Sequence, residues 1–215
     1  MTKSTPQSVR DYYDAIIAKH GPVPNGVGWR DKESQYIKFE QLYRIISRPE
    51  TPCTINELGC GYGAFVDFLE EKGAKAEYRG YDISAPMLEA ARRHLMASKR
   101  AIPWSLHLNE EMQTADYIVA SGIFNANMGP DDSVVEKEEW EQYILSNLHE
   151  MNKRSCLGFS FNMQTTYSDF FTKYYYGDPC FYFDYCMKNF SNQVALLHNY
   201  KLFDFTILVS KDRQG

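Results

Sequence analysis

Between Cys53 and Phe161 the chain alternates short apolar runs with longer amphipathic stretches, and then it changes manner. Cys53–Leu58, Glu77–Tyr81, Trp104–Leu108, Asp116–Ser121 and Ser155–Phe161 have the length and composition of strands. Ala64–Lys72 (closed by Gly73), Pro86–Ser98 and Lys137–Met151 lie between them at helical spacing. Strands that alternate with helices are expected to lie parallel in one sheet with helices on both faces. After a short helix over Asp184–Phe190, two further strands are expected at Gln193–His198 and Phe203–Ser210. Only Asn199–Leu202 joins them, and a parallel crossover needs about a dozen residues or more. These two strands must therefore pair antiparallel. The expected fold class is α/β, a seven-stranded mostly parallel sheet finished by a C-terminal antiparallel β-hairpin.

Ahead of this pattern Ser8 is expected to cap a helix over Val9–Lys19, which His20-Gly21-Pro22 ends. The stretch GPVPNGVGWR reads as a loop, and Lys32–Ser47 as a second helix stopped by Arg48-Pro49. A chain of 215 residues suits a single domain. Residues 1–50 are expected to form a helical cap, and 51–215 a core with a lid-like insertion at about 165–190. The net charge of −5 and the lack of a long basic run argue against a nucleic-acid partner. The cluster Arg92, Arg93, Lys99 and Arg100 reads as the solvated end of a helix. No run approaches transmembrane length, and MTKSTPQSVRDYYDAII lacks a secretory apolar core. The five cysteines include no CxxC pair, so neither a zinc site nor a disulfide framework is expected, and reduced thiols in a cytoplasm are. His94, His107, His149 and His198 form no metal-ligand spacing and read as surface or packing residues.

The chemistry begins at TINELGCGYGAFVDFLEE, where the first strand gives way to a helix. Gly59, Gly61 and Gly63 follow one another as G-x-G-x-G, not as G-x-G-x-x-G, and no Walker lysine is present. Glycines allow a sharp turn and bring bare backbone close to a ligand. The carboxylate of Glu57 beside that turn would repel a pyrophosphate, but it suits an ammonium or a structured water. Asp82 closes the second strand 21 residues after Gly61, about the distance at which an acid accepts both hydroxyls of a ribose. A tight turn without ligand and a helix cap are the plainer readings of these two features.

Taken together, ELGCGYG, then YDIS followed by MLEAARRH, then ADYIVASGIFN, then VALLHNYKLFDFTILVSK resemble the class I S-adenosylmethionine-dependent methyltransferases. The resemblance runs from about Thr54 to Lys211 and implies a Rossmann-like sheet ending in an antiparallel sixth and seventh strand. More locally, GWRDKESQYIKFEQL, ASGIFN and DPCFYFDYCMKNFSNQVALLHNY resemble a bacterial subgroup of small methyltransferases. The resemblance implies S-adenosyl-L-methionine as cofactor, with S-adenosyl-L-homocysteine as product. It implies that Glu57, Gly59, Cys60, Gly61 and Gly63 serve the methionine side and Asp82 and Ile83 the ribose. It further implies that Trp29, Ser34 and Gln35 cover the cofactor, although Trp29–Gln35 also reads as the capped start of an amphipathic helix. The family often carries an acid after the third strand, near the adenine. Here SLHLNEEMQTAD offers either Asn109 or Glu110.

Ligands of open α/β sheets bind at the C-terminal ends of the strands. Ser121, Phe124, Asn125 and Asn162 gain weight as candidates for that reason, Ser121 on the cofactor side and the others on the acceptor side. No G-x-S-x-G elbow occurs. The segment YSDFFTKYYYGDPCFYFDY, dense in Tyr and Phe, reads as a lid whose Tyr174, Tyr175, Tyr176 and Asp178 enclose a small-molecule methyl acceptor. No catalytic base is assigned. A non-catalytic module that keeps the cofactor fold, and an NAD-dependent oxidoreductase, are the competing readings. The glycine spacing, Glu57 and the terminal hairpin disfavour the second.

Overall fold

The computed structural model describes residues 4–97, 99–127, 134–169 and 171–211. Its strands are β1 (Cys53–Leu58), β2 (Ala76–Asp82), β3 (Trp104–Leu108), β4 (Ala115–Ala120), β5 (Ser155–Gln164), β6 (Gln193–Leu197) and β7 (Asp204–Ser210). They form a seven-stranded sheet in the order β3-β2-β1-β4-β5-β7-β6. The first five strands pair parallel, while β7 runs antiparallel between β5 and β6. The short link after β6 produces the hairpin for the geometric reason given above.

Among the described residues six α-helices accompany the sheet: α1 (Thr5–His20), α2 (Lys32–Tyr43), α3 (Ala64–Glu71), α4 (Ala85–Met96), α5 (Lys137–Arg154) and α6 (Pro179–Asn189). Their starts follow from local chemistry. Gly63 caps α3 at φ 83°, a left-handed conformation that glycine adopts without penalty. The Ser84 hydroxyl caps α4 by accepting from Met87 N at 3.1 Å.

Two helix starts differ from expectation. α1 is capped at Ser4, whose backbone N–H donates to Gln7 Oε1 at 3.1 Å, because Pro6 is tolerated in the first turn and lets the helix begin before Ser8. α6 begins at Pro179 and not at Asp184, because the Asp178 side chain accepts from Cys180 N at 2.8 Å and Phe181 N at 3.3 Å. α6 thereby becomes the crossover between β5 and β6, with Tyr182 and Cys186 buried, and of the expected insertion the described residues 165–169 and 171–178 remain irregular. Of the segments named from sequence, Met1–Lys3, Ser98 and Phe170 lie outside the described residues.

The core forms in two layers, one on each face of the sheet. Phe39 and Leu42 of α2 join Phe65, Phe68 and Leu69 of α3 over one face. Trp140, Ile144, Leu148 and Met151 of α5 join Phe159, Phe161 and Phe205 over the other. Along β4, Tyr117 and Val119 enter the first layer while Ile118 and Ala120 enter the second, the period-two alternation of a central strand. Trp140 is fully buried and donates its indole N–H to the Phe124 carbonyl at 3.1 Å. Trp140→Ala is expected to cost about 3–5 kcal/mol, since it leaves a large cavity and an unpaired carbonyl. Urea unfolding measures this, and a loss under about 1 kcal/mol would contradict the packing described. Among the described residues no helix is long and apolar enough to cross a membrane.

Candidate functional site

The chain leaves β1 toward β2 and β3, then returns to place β4 on the other side of β1. This reversal opens a crevice at the C-terminal ends of the strands, where an open α/β sheet receives a ligand. The turn after β1 supplies its floor. Gly59 and Gly61 sit at φ 74° and 54°. A Cβ on Gly59 would lie 2.2 Å from Ile123 Cγ2, and one on Gly61 would lie 2.9 Å from Val27 Cγ1. Bare backbone is therefore required at both positions.

Two carboxyls face each other across the turn. Glu57 is buried and accepts the Tyr78 hydroxyl at 2.5 Å. Burial pushes its carboxyl up to about 8; the Tyr78 bond opposes the rise and the Asp82 charge adds to it. Asp82 accepts from Gly61 N through Oδ2 and from Ser84 N through Oδ1, both at 2.9 Å. Burial lifts Asp82 to about 6 against those backbone donors. The acid thus holds the glycine turn in shape as well as facing the crevice.

The crevice encloses about 160 Å³. Beyond it lies a second cavity of about 250 Å³, and the two share the wall formed by Tyr13, Val27 and Trp29. Ser121 faces the first and Gly122, next in sequence, faces the second. Trp29 packs directly on Gly122: an added Cβ there would lie 2.3 Å from the indole Cζ2. Lys38 Nζ stands 3.8 Å from the centroid of the same indole and 2.8 Å from Asp204 Oδ1. Both members of this ion pair are buried at 5% exposure.

Residues 56–138 match the family described as a methyltransferase domain. Over 172 residues the chain is 42% identical to the Mycobacterium tuberculosis protein named "Putative methyltransferase Rv1506c", an overlap of 78% of this chain and 98% of that protein. The chain belongs to the methyltransferase family. Solved methyltransferases share its architecture at low identity. The magnesium protoporphyrin IX methyltransferase of Synechocystis with bound SAH superposes with a TM-score of 0.65 at 11% identity, over 97% of this chain and all of that one. The DhpI–SAH complex superposes with a TM-score of 0.63 at 14% identity, over 99% of this chain and all of that one. At such identities the likeness concerns the fold.

In this methyltransferase the crevice gathers Trp29, Glu57, Gly59, Cys60, Gly61, Asp82, Ile83, Glu110 and Ser121 from the residues singled out in the sequence. Asn109 and Glu110 both reach it, Asn109 in a left-handed conformation at φ 51°. Gln35 reaches it too and accepts the Tyr62 hydroxyl at 3.0 Å. Gly63 does not: it caps α3, and a Cβ there would meet Leu95 at 3.3 Å. Ser34 faces the second cavity instead, where its backbone N–H and hydroxyl are held by Asp31 at the start of α2.

The residues expected around the acceptor separate more sharply. Asn125, Tyr174 and Tyr176 line the second cavity. Phe124 and Tyr175 instead point into the layer beneath α5, Tyr175 bonding the hydroxyls or carboxylates of Tyr182 and Glu141. Asp178 is occupied as the cap of α6. Asn162 is fully buried and acts from below: its Oδ1 accepts from Gly122 N at 2.8 Å and its Nδ2 donates to the Ser121 hydroxyl at 3.4 Å. It positions the wall and does not line either space.

Several lining residues carry no local signal. Val9 and Tyr13 come from α1, and Tyr143 and Asn147 from α5. Lys38 and Asp204 join from α2 and β7. His107, read above as a packing or surface residue, lines the crevice; its ring stacks on Tyr81 at 4.7 Å and its Nδ1 lies 2.9 Å from Glu110. His94, His149 and His198 stand elsewhere, against Tyr62, Tyr185 and Tyr167 respectively. Among the described residues no group of three or more His, Cys, Asp or Glu is placed to hold a metal ion.

Proposed function

We propose that this methyltransferase moves a methyl group from S-adenosyl-L-methionine to a small-molecule acceptor held in the second cavity. One observation carries the reading: two cavities meet at Tyr13, Val27 and Trp29, with the consecutive residues Ser121 and Gly122 facing one each. The residues of the first cavity fit the cofactor. Glu57 suits its ammonium, Asp82 its ribose hydroxyls, and the bare turn at Gly59 and Gly61 the close approach of its chain. The nearby Asn109, Glu110 and stacked His107–Tyr81 pair supply polar and planar surface for its base. When bound, the cofactor supplies a methyl group already activated by a sulfonium. What remains for the protein is alignment and the exclusion of water.

The acceptor side is a concave, half-open space built from aromatic rings interrupted by amides, which suits a small molecule better than a polymer. The Tyr12 hydroxyl lies 3.2 Å from that of Tyr174, and Tyr176 accepts from Thr172 N at 2.9 Å, so both loop tyrosines are held in place. Incubation with labelled S-adenosylmethionine and a metabolite extract, followed by mass spectrometry, is expected to give a labelled small product. Truncation of Tyr174 and Tyr176 to alanine is expected to lower product formation by about tenfold or more while leaving S-adenosylhomocysteine affinity nearly intact. An equal fall in both quantities would place these tyrosines in the cofactor site. Tight binding of NAD with none of S-adenosylhomocysteine in calorimetry would overturn the reading itself.

A further inference from the structure

A lysine buried in a cavity wall needs a reason, because taking an ammonium out of water is costly unless it is paired. Lys38 has two such partners among the described residues. Asp204 Oδ1 lies 2.8 Å from its Nζ, and the Trp29 ring covers it at 3.8 Å. Both of these partners also line the second cavity, and so does the lysine. The amine is thus fixed at the boundary of the acceptor space, on the indole that separates it from the cofactor crevice. A second feature of the same wall points to a polar ligand. Gln164, which pairs across the sheet with Asp204, lines the cavity, and its buried Oε1 has no hydrogen-bond partner among the described residues. Such an atom is costly unless something supplies a donor to it.

We propose that Lys38 is the general base for a hydroxyl acceptor, so that the product is an O-methyl compound, with Gln164 accepting from a second polar hydrogen of the same molecule. This rests on the reading of the second cavity as the acceptor site. In the reaction the ammonium of the Lys38–Asp204 pair first gives its proton to solvent; the acceptor oxygen then gains the methyl carbon and loses its own proton to the neutral Lys38 amine. The bonding pair of the broken carbon–sulfur bond stays with sulfur. The new ammonium is then held where it forms, by the Asp204 carboxylate and the indole face. Burial favours the amine and lowers the Lys38 pKa from its ordinary value; the Asp204 charge opposes this and Arg30 adds to it. The other titratable groups of the cavity are Tyr12, Tyr13, Tyr174 and Tyr176. Tyr13 is the alternative base by position, since it lines both spaces. Burial first, and then the Asp82 charge, raise its hydroxyl well above the usual range, which leaves it neutral.

Three readouts test this on the full chain. In protein labelled with ¹³Cε-lysine, the signal absent from Lys38→Arg is expected to titrate below the ordinary lysine range. Titration at or above that range overturns the proposal without any acceptor. With labelled S-adenosylmethionine and the extract, the labelled carbon is expected on oxygen, as its NMR shift shows. Lys38→Arg is expected to lose product by about 10²–10⁴-fold with S-adenosylhomocysteine affinity unchanged. Lys38→Ala is expected to regain part of its activity in added ethylamine, which covers the case in which arginine does not fit the slot. A methyl on nitrogen, carbon or sulfur, or wild-type turnover in Lys38→Arg, overturns the assignment of Lys38 while leaving methyl transfer to a small molecule standing. No labelled product from the wild-type protein overturns both.

Discussion

Replacing Asp82 by alanine is expected to weaken S-adenosylhomocysteine binding by about 10²–10⁴-fold. Two hydroxyls donating to one carboxylate make charge-assisted bonds of about 1.5–3 kcal/mol each, and about 1.4 kcal/mol is a factor of ten. Asp82 has a second task that adds to the loss. Its two oxygens accept the Gly61 and Ser84 backbone N–H groups at 2.9 Å, so the alanine variant also releases the glycine turn. Asp82→Asn keeps one acceptor oxygen and should fall between the two. Gly61→Arg attacks the same place by volume: the position sits at φ 54°, and even a Cβ would press on Val27 at 2.9 Å. Its binding should be lost without unfolding the sheet, because neither Gly61 nor Asp82 belongs to the buried hydrophobic layers. Calorimetry with far-ultraviolet circular dichroism measures both effects. Wild-type affinity in Asp82→Ala and Gly61→Arg together would remove the cofactor assignment.

The features of this fold that sequence displays best are those encoded by neighbours in the chain. The six residues between β6 and β7 are too few for a parallel crossover whatever the rest of the molecule does, so the antiparallel hairpin is local information. The glycine turn and the acid that follows the second strand are local in the same sense. Each depends on a backbone bend whose residues stand side by side, and Glu57, Gly59, Gly61 and Asp82 duly meet in one crevice. Gly63 shows the limit of this. Its spacing continues the glycine series, but its left-handed conformation serves the α3 cap, so its role is set by which way the turn faces after two more residues.

Side-chain direction is where local information ends. Phe124 and Asn125 leave the same strand end as neighbours, yet Phe124 sinks into the apolar layer and Asn125 turns to the cavity. Tyr174, Tyr175 and Tyr176 divide likewise, the middle one inward. Three tyrosines in a row carry no sign of which face meets the core, because the segment has no helical or strand period to assign it. Lys38 is harder still. In the sequence it is one polar residue in an amphipathic helix, a position that normally faces water. Only the packing of α2 against the start of β7 places it beside Asp204, 166 residues away, and no property of either segment announces the other. The cavity proposed for the acceptor is therefore assembled by tertiary contact, while the crevice proposed for the cofactor is written in two short motifs.

Glu57 gives the site a pH dependence that its geometry makes specific. The carboxyl ordinarily titrates at 4.5 and burial holds it at about 8 in the free protein. Between those values the folded state keeps a proton that the unfolded state has lost, so this group favours folding less and less as pH rises through the interval. The ceiling of that loss is on the order of 5 kcal/mol, from about 1.4 kcal/mol per pH unit. An ammonium seated beside Glu57 reverses the balance, since it favours the ionised carboxylate. S-Adenosylhomocysteine binding near pH 7, where Asp82 is already ionised, is then expected to release close to one proton. Its affinity should rise with pH by up to about tenfold per unit until the carboxylate is formed, and fall again once the ligand's own amino group, ordinarily near 8, begins to lose its proton. Free protein should lose stability to urea over the same range, and the ligand should restore it most near pH 8. Glu57→Gln removes the titrating group and should flatten the rising limb while lowering affinity most at its former maximum. Calorimetry at several pH values, in buffers of different ionisation enthalpy, counts the protons directly. An affinity and proton count that do not change with pH, or a Glu57→Gln variant that matches the wild-type profile, would mean that Glu57 does not face the amino group of the ligand.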